Sequence, residues 1–492
     1  MKVLFIRNSS GQISNSRLNN GMGIIATIVH DAGHKVKILD NNSQLRFYKD
    51  EEIINIIEEF KPDVLAYSIT LYNAYPTYEQ IKKVKREFPK LKVIAGGIHM
   101  KHCFEEALEY GVDIVINREG EKVILPLLEN IENLNKVKGV SYKKSNGSFH
   151  FAKEFPVLDN LDDVPIVNYD LFNLEDYDLT EQGLFDLTGQ RGCPFKCTFC
   201  SDKIQRKDKR VASAGWMFSN IKDLYNKYGI GDLFIADNNI TIFPKRLRDF
   251  CNKMIESGLN KKISLSCQTT IRFPIDDNLI KLMKKAGFNK VIFGLERLTS
   301  FSLKKINKEQ PIENAHKIFK SMKKNDINIS IFMMVGFPFE TPALLKEEKK
   351  LFLELTKYTK DLHLSILTPI PATIYYDNYP NIKKWYLKGK DYELSRTYFA
   401  RVLDSQMFET INRNFFNFPK ETQKAMIDYY FTFKRISPMK INYLKVILNG
   451  ADLFVAKISK GIFKVSPTME SLLFNRLKII RYNFRRKVNR ES

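Results

Sequence analysis

Cysteine and long apolar runs are both scarce in this chain. Only 6 cysteines stand among 492 residues, too few and too clustered for the disulfide framework of a secreted scaffold. No apolar stretch reaches about 18 residues, so no helix is expected to span a membrane. The opening run Met1-Lys-Val-Leu-Phe-Ile-Arg7 is too short for a signal peptide and reads as a first strand. P-loop, zinc-finger spacing, internal repeat and low-complexity tract are all missing. The expected setting is therefore reducing and cytoplasmic. The information left is in chain length, charge and one local motif.

A chain of 492 residues exceeds one ordinary core, so two or three domains are expected, and a hydrophobic fraction of 44% is ample for globular folding. The formal net charge of +22 raises nucleic acid, anionic lipid and acidic small molecules as partners. Lysine is abundant throughout, however, so much of that charge reads as ordinary solvated surface.

The motif is Arg191-Gly-Cys-Pro-Phe-Lys-Cys-Thr-Phe-Cys-Ser201, in which Cys193, Cys197 and Cys200 are spaced C-x3-C-x2-C. A structural zinc site or an electron-transfer ferredoxin would add a fourth Cys or His at a regular spacing. Here Cys103, Cys251 and Cys267 are isolated, and no His lies between His150 and His316. Three thiolates on a 4Fe-4S cubane leave one iron open to a substrate or cofactor. Cys267 lies mid-strand and reads as a packing residue.

From Lys2 to about Ile131 strand-length apolar runs alternate with helical segments, the pattern of a doubly wound parallel sheet. Expected strands are Val3-Ile6, Val36-Leu39, Val64-Ser68, Val93-Ala95 and Ile114-Ile116. Expected helices fall near Gly21-Asp31, Glu51-Phe60, Thr77-Phe88, Phe104-Tyr110 and Glu121-Asn130. Five such units give a flavodoxin-like sheet that binds its ligand beyond the carboxyl ends of the strands. Ser68, Gly96, Gly97 and Glu119 stand at those ends. Paired glycines let a bulky ligand approach the backbone.

From Gly183 to Thr373 a second strand-helix series follows, with strands at Leu184-Thr188, Leu233-Ala236, Ile263-Gln268, Val291-Gly294, Ile329-Val335 and Leu362-Leu367. Six units fit a partial (β/α)6 TIM-type barrel with its chemistry at the carboxyl ends of the strands. The cysteine loop leaves the first strand. Later strands end in Phe234-Ile-Ala-Asp-Asn-Asn239, Gln268-Thr-Thr-Ile-Arg272, Gly294-Leu-Glu-Arg297, Gly336-Phe-Pro-Phe-Glu-Thr341 and Thr368-Pro-Ile-Pro-Ala-Thr373.

Taken in order, these motifs resemble the radical S-adenosylmethionine (SAM) family, and within it the enzymes that carry a cobalamin-binding domain before the barrel. The first-domain residues of the resemblance are Gly96-Gly-Ile-His99 and Arg118-Glu-Gly-Glu121, the latter with Arg118 where relatives have Gly. The D-x-H-x-x-G motif that gives cobalt a histidine in methionine-synthase-like domains is absent, so a bound corrinoid takes no His from it. The resemblance implies a 4Fe-4S cluster on Cys193, Cys197 and Cys200, with the amine and carboxylate of S-adenosylmethionine on the open iron. One-electron reduction then yields a 5'-deoxyadenosyl radical, the protein supplying position and exclusion of water. Phe199 precedes the third cysteine as an aromatic commonly does in the family. By the same resemblance Asp237, Asn238 and Asn239 are expected at the methionine amine or ribose, Glu296 at the ribose or amine, and Arg272 at a carboxylate.

The expected domains are 1–135, cobalamin-binding-like; 136–182, a connector with a hairpin at Val140-Tyr142 and Phe149-Phe151; 183–377, the barrel; and 378–492, a helical cap. The cap is rich in aromatics, among them Trp385, Tyr392, Tyr398, Phe408, Phe415, Phe416 and Tyr429-Tyr-Phe431. In the resembling enzymes such a region closes the barrel mouth. At its end, Leu473, Leu477, Ile480 and Phe484 lie at helical spacing among arginines and lysines, a basic amphipathic helix. Docking on the body is its first reading, peripheral contact with anionic lipid the second and nucleic acid the last.

The leading functional expectation is cobalamin-dependent methylation of an unactivated carbon in a small-molecule or lipid substrate, with flavodoxin or ferredoxin as electron donor. The alternative is ring formation or rearrangement without methyl transfer. A third reading is a cluster-bearing binding protein attached to membrane or nucleic acid.

Overall fold

Residues 3–6 of the first strand are all buried and alternate between two cores: Val3 and Phe5 join one apolar cluster, Leu4 and Ile6 another. Val64 and Ala66 against Leu65 and Tyr67 repeat the division, as do Ile94 against Val93 and Ala95. A parallel sheet covered on both faces demands this near-continuous apolarity. In the computed structural model, residues 1–9, 17–43, 45–179, 183–201, 210–273, 275–308, 310–367, 369–378 and 418–436 are described.

The first unit runs β1 (Lys2–Arg7), α1 (Asn20–Asp31), β2 (Lys35–Asp40), α2 (Asp50–Phe60), β3 (Val64–Ser68), α3 (Ala74–Glu87), β4 (Lys92–Gly96), α4 (Phe104–Glu109), β5 (Ile114–Ile116) and α5 (Ile124–Glu129). The strand order is β2-β1-β3-β4-β5, all parallel, as expected of a flavodoxin-like sheet. The hairpin β6 (Val140–Lys143) and β7 (Phe149–His150) is not a free-standing part of the connector. It adds to β5 antiparallel and extends this sheet to seven strands. Short β5 would otherwise leave an open edge.

The second unit begins with β8 (Asp186–Leu187), shorter than the expected Leu184-Thr188. The ribbon β9 (Gln190–Arg191) with β10 (Arg210–Val211) follows, then α6 (Ala214–Tyr228), β11 (Asp232–Ile235), α7 (Pro244–Glu256), β12 (Ser264–Thr269) and α8 (Asp277–Lys285). It continues with β13 (Phe288–Glu296), α9 (Ser300–Lys305), α10 (Ile312–Lys324), β14 (Asn328–Val335), α11 (Pro342–Leu355), β15 (Asp361–Ile366) and α12 (Ile374–Asp377). Strands β8, β11, β12, β13, β14 and β15 form one six-stranded parallel sheet in that order. This is the open, partial barrel expected. Cys267 is 0% exposed and interacts with Cys251 of α7, a packing residue as anticipated.

A last helix, α13 (Lys420–Ile436), lies along α11, with Phe352 stacked on Phe433 at 4.6 Å and Lys349 paired to Asp428 at 2.8 Å. Tyr429 and Tyr430 are buried there with Leu345 and Val335, in the helical layer beside β15. Trp385, Tyr392, Tyr398, Phe408, Phe415 and Phe416 of the expected cap, Thr368 and the basic helix near the carboxyl end lie outside the described residues.

One apolar cluster joins the units: Val3 and Phe5 of β1 belong to it with Phe185, Leu233 and Phe293 of the barrel, through Val167, Tyr169, Phe172 and Tyr177 of the connector. Connector hydroxyls and carboxylates fasten the seam, with Tyr177 donating to Asp40 at 2.6 Å and Tyr48 to Asp176 at 2.8 Å.

Candidate active site

The cysteine loop leaves the carboxyl end of β8 and is held from several sides. Gly192 takes φ +81°, a turn that favours glycine. Buried Gln190 donates to Gly192 O at 3.1 Å and accepts from Asn239 N at 3.3 Å, tying the loop to the end of β11. Thr198 N donates to Ile306 O at 3.0 Å, and its hydroxyl meets Tyr375 Oη at 3.0 Å. Asn307, at φ +53°, donates to Lys196 O at 3.0 Å. The side of the loop is aromatic: Phe199 packs edge-on to Phe337 at 6.2 Å, and Arg272 lies 4.1 Å over Phe195.

None of the three loop thiols is in a disulfide; Cys197 is buried, Cys193 and Cys200 less so. Burial pushes the Cys197 thiol up, and the Lys308 ammonium is the largest opposing influence. Lys308 is itself buried, with Nζ 3.0 Å from Glu296 Oε1 and 6.0 Å from the Phe199 ring. Glu296 sits at a break in the β13–β14 register with φ +63°. Gly294 makes room for the pair, since a Cβ there would lie 2.6 Å from Glu296 Oε1 and 3.0 Å from Lys308 Nζ. The structure thus brings Glu296, Phe199, Arg272 and the cysteines to one end of the barrel.

Two predicted residues have their polar atoms committed elsewhere. Asp237 is 0% exposed, accepting from Gly189 N and from Arg246 Nη1, both at 2.7 Å. Asn239 accepts from Thr269 Oγ1 at 2.6 Å and Thr241 Oγ1 at 3.0 Å, and its amide reaches Thr270 Oγ1 at 3.4 Å. Both brace strand ends. Asn238, between them, is exposed. Motif residue Arg297 is fully buried against Glu340 Oε1 at 2.5 Å and Glu348 Oε1 at 3.3 Å, so the fourth and fifth strand-end motifs lock each other.

In the first unit Ser68 Oγ accepts from Asn19 Nδ2 at 3.1 Å beside the end of β4. A Cβ on Gly96 would meet nothing within 4 Å, whereas one on Gly97 would strike Ile69 O at 2.5 Å. Gly96 therefore faces open space and Gly97 makes the turn. His99 is buried and pairs with Glu106 at 3.1 Å. Glu119, expected at the first-unit ligand, instead meets barrel arginines: Arg191 Nη1 at 2.8 Å and Arg210 Nη1 at 3.1 Å. Glu121 pairs with Arg191 as well. Burial pushes the Glu119 carboxyl up, but Arg210 and Arg191 more than offset it and leave it below the usual range. His102 is held down to about 4, chiefly by burial and then by Lys101, and lies within hydrogen-bonding reach of the Ser201 backbone.

Lys308, Gln190, Arg246, Arg191 and Arg210 were missed as site residues by motif reasoning. Arg191 opens the quoted cysteine motif and is the one within its reach. Lys308 and Arg246 stand in no strand-end motif, and only the fold brings them in.

A flavodoxin-like unit fused to a partial barrel with a three-cysteine loop is the architecture of corrinoid-linked radical enzymes. The B12 binding domain model matches residues 15–127 and the Radical SAM superfamily model residues 187–352. An uncharacterized methyltransferase of Pyrococcus horikoshii is 29% identical over 72% of this chain and 76% of its own length. The anaerobic magnesium-protoporphyrin IX monomethyl ester cyclase of Cereibacter sphaeroides is 26% identical over 66% of this chain and 55% of its own. The cobalamin-dependent S-adenosylmethionine radical enzyme OxsB, solved with aqua-cobalamin and S-adenosylmethionine, aligns at TM-score 0.63 and 18% identity, over 80% of this chain and 56% of OxsB. The chain belongs to the radical SAM family whose members carry a B12-binding domain. Its cofactors are accordingly a 4Fe-4S cluster, S-adenosylmethionine and cobalamin. The residues present fit them: three thiols on one loop at the barrel's carboxyl end, none of them in a disulfide, and open space at Gly96.

Proposed function

We propose that this enzyme methylates an unactivated carbon of a small-molecule or lipid substrate, and that the ring-forming chemistry named for the Cereibacter relative is the reading to be tested against it. The observation that carries the proposal is one continuous apolar cluster that includes Leu187 of β8, the strand the cysteine loop leaves, and Ile94 of β4, the strand that ends at the open Gly96. When bound, the cluster, S-adenosylmethionine and the corrinoid supply reducing equivalents, a radical and a methyl group.

Cys193, Cys197 and Cys200 would hold the cluster. Phe199 and Phe337 exclude water from its flank. Glu296, steadied by Lys308, would orient the ribose or amine of S-adenosylmethionine, Asn238 the amine, and Arg272, stacked on Phe195, the carboxylate. Ser68 and Gly96 would receive the corrinoid edge, with Gly97 making the turn behind them. The unit boundaries that go with this reading are 1–150 for the corrinoid unit, with its hairpin, and 183–377 for the barrel. A reducing electron donor such as flavodoxin or ferredoxin is part of the proposal, as is a cytoplasmic setting with peripheral lipid contact through the basic segment near residues 472–490. Among the described residues no helix is long and apolar enough to cross a membrane.

The test is anaerobic reconstitution with iron, sulfide and hydroxocobalamin, followed by assay with methyl-deuterated S-adenosylmethionine against extracted metabolites and lipids. One corrinoid and four irons per chain, with deuterated methyl in a product, supports the proposal. A product of altered ring or skeleton without label overturns it in favour of the alternative.

A further inference from the structure

The two ends of the cysteine segment are gripped by the first unit. Arg191 stands two residues before Cys193, and Arg210 pairs with it across the antiparallel β9–β10 ribbon. Both guanidiniums turn toward the short stretch after β5. Arg191 reaches Glu119 Oε2 at 2.8 Å with one nitrogen and Glu121 with the other. Arg210 takes both oxygens of Glu119, one at 3.1 Å, and also donates to Leu158 O. The four side chains are only 7–17% exposed.

Two arginines against two glutamates make the group neutral, and the fork-shaped guanidinium fixes direction as well as distance. The turn is also fixed from behind. Gly120 is pressed on α1, where a Cβ would lie 2.9 Å from Ile25 Cδ1. Glu119 and Glu121 flank that anchored glycine, and β5 is the neighbour of β4, whose end opens at Gly96. A ligand seated at those strand ends therefore lies one strand from the residues that hold the cysteine loop.

We infer that Glu119 and Glu121 are positioning residues for the cysteine loop, coupling occupancy of the first unit's strand ends to the environment of the cluster. The inference rests on the proposed corrinoid and cluster sites. Linkage makes the coupling reciprocal: the factor by which the cluster changes corrinoid affinity equals the factor by which corrinoid changes cluster stability.

The full chain is prepared as wild type, E119Q/E121Q and Arg210→Lys, each with and without reconstituted cluster. Hydroxocobalamin affinity is measured by absorbance titration, and the reduced cluster by electron paramagnetic resonance. In the wild type, corrinoid affinity is expected to differ about fivefold or more between the cluster-loaded and cluster-free forms. In E119Q/E121Q iron content is retained, the difference falls to nearly one, and the cluster signal no longer changes when corrinoid is added. Arg210→Lys keeps the charge, loses the fork, and should fall between; it serves alone if the double variant does not fold. Corrinoid binding with equal affinity to both wild-type forms, or an undiminished difference in the variants, overturns the inference. Absence of corrinoid binding in the wild type defeats the functional proposal instead. The positioning role is then judged on the cluster signal alone, and an identical signal in wild type and variants overturns it.

Discussion

Lys308 places a cation beside a loop meant to carry negative thiolates. Its partner Glu296 neutralises the pair, so replacing the lysine by methionine removes a positive charge and strands a negative one. That single loss of positive charge disfavours adding an electron to a cluster on Cys197. Charge interactions of this kind amount to roughly 1–2 kcal/mol at an effective dielectric near 20 and about 10 Å, or several tens of millivolts for one electron. Lys308→Met is therefore expected to lower the cluster's midpoint potential by that amount, and Lys308→Arg to restore most of it. A redox titration followed by electron paramagnetic resonance reads the difference; equal potentials in wild type and Lys308→Met would sink the assignment. Cys197→Ala is expected to drop iron from about four to below one per chain and to abolish reductive cleavage of S-adenosylmethionine, read by iron assay and by 5'-deoxyadenosine formation.

Among elements, the barrel strands depend on buried charge as much as on apolar packing. Arg297 at the end of β13 faces Glu340 and Glu348, all three at or below 4% exposure. Removing the cation by Arg297→Met leaves two uncompensated buried carboxylates, so a loss of about 3–5 kcal/mol is expected, measured as a lower urea midpoint at unchanged slope. The triple variant with Glu340→Gln and Glu348→Gln should recover much of that loss; a wild-type midpoint in Arg297→Met alone would refute the account.

Elements whose signal is local were legible in the sequence. Strands such as Val64–Ser68 and Ile114–Ile116 fall where the apolar runs place them, because burial on both faces leaves no alternation to misread. Errors came where a side chain works at a distance. The expected helix from Glu121 begins only at Ile124, because Glu121 turns away to Arg191. Helix α3 starts at Ala74 rather than Thr77, since Pro76 is tolerated in a first turn. The three cysteines of the site could be read from spacing, and so could the strand-end motifs. That Asp237 and Asn239 brace strand ends could not, because it depends on how α7 brings Arg246, the segment after β8 brings Gly189, and the end of β12 brings Thr269 alongside them, with Thr241 close by in the chain.

At the scale of the whole molecule the two units share one apolar cluster, so they should unfold together near neutral pH. The ion pairs of Glu119 with Arg191 and Arg210 add a pH-dependent component to that joint stability. Because the folded Glu119 carboxyl is depressed below its usual 4.5, its contribution is fully present above about that pH. It is lost as pH falls through the depressed value, where the carboxylate takes a proton and releases both arginines. Calorimetry of the wild type should therefore show one cooperative transition at pH 7 and falling stability below pH 4.5. In Glu119→Gln the transition should be lower at pH 7, and the acid-side slope should be shallower. If the two proteins lose stability in parallel between pH 5 and 3, the contact contributes nothing that titrates, and the joint stability rests on the apolar cluster and the other contacts between the units.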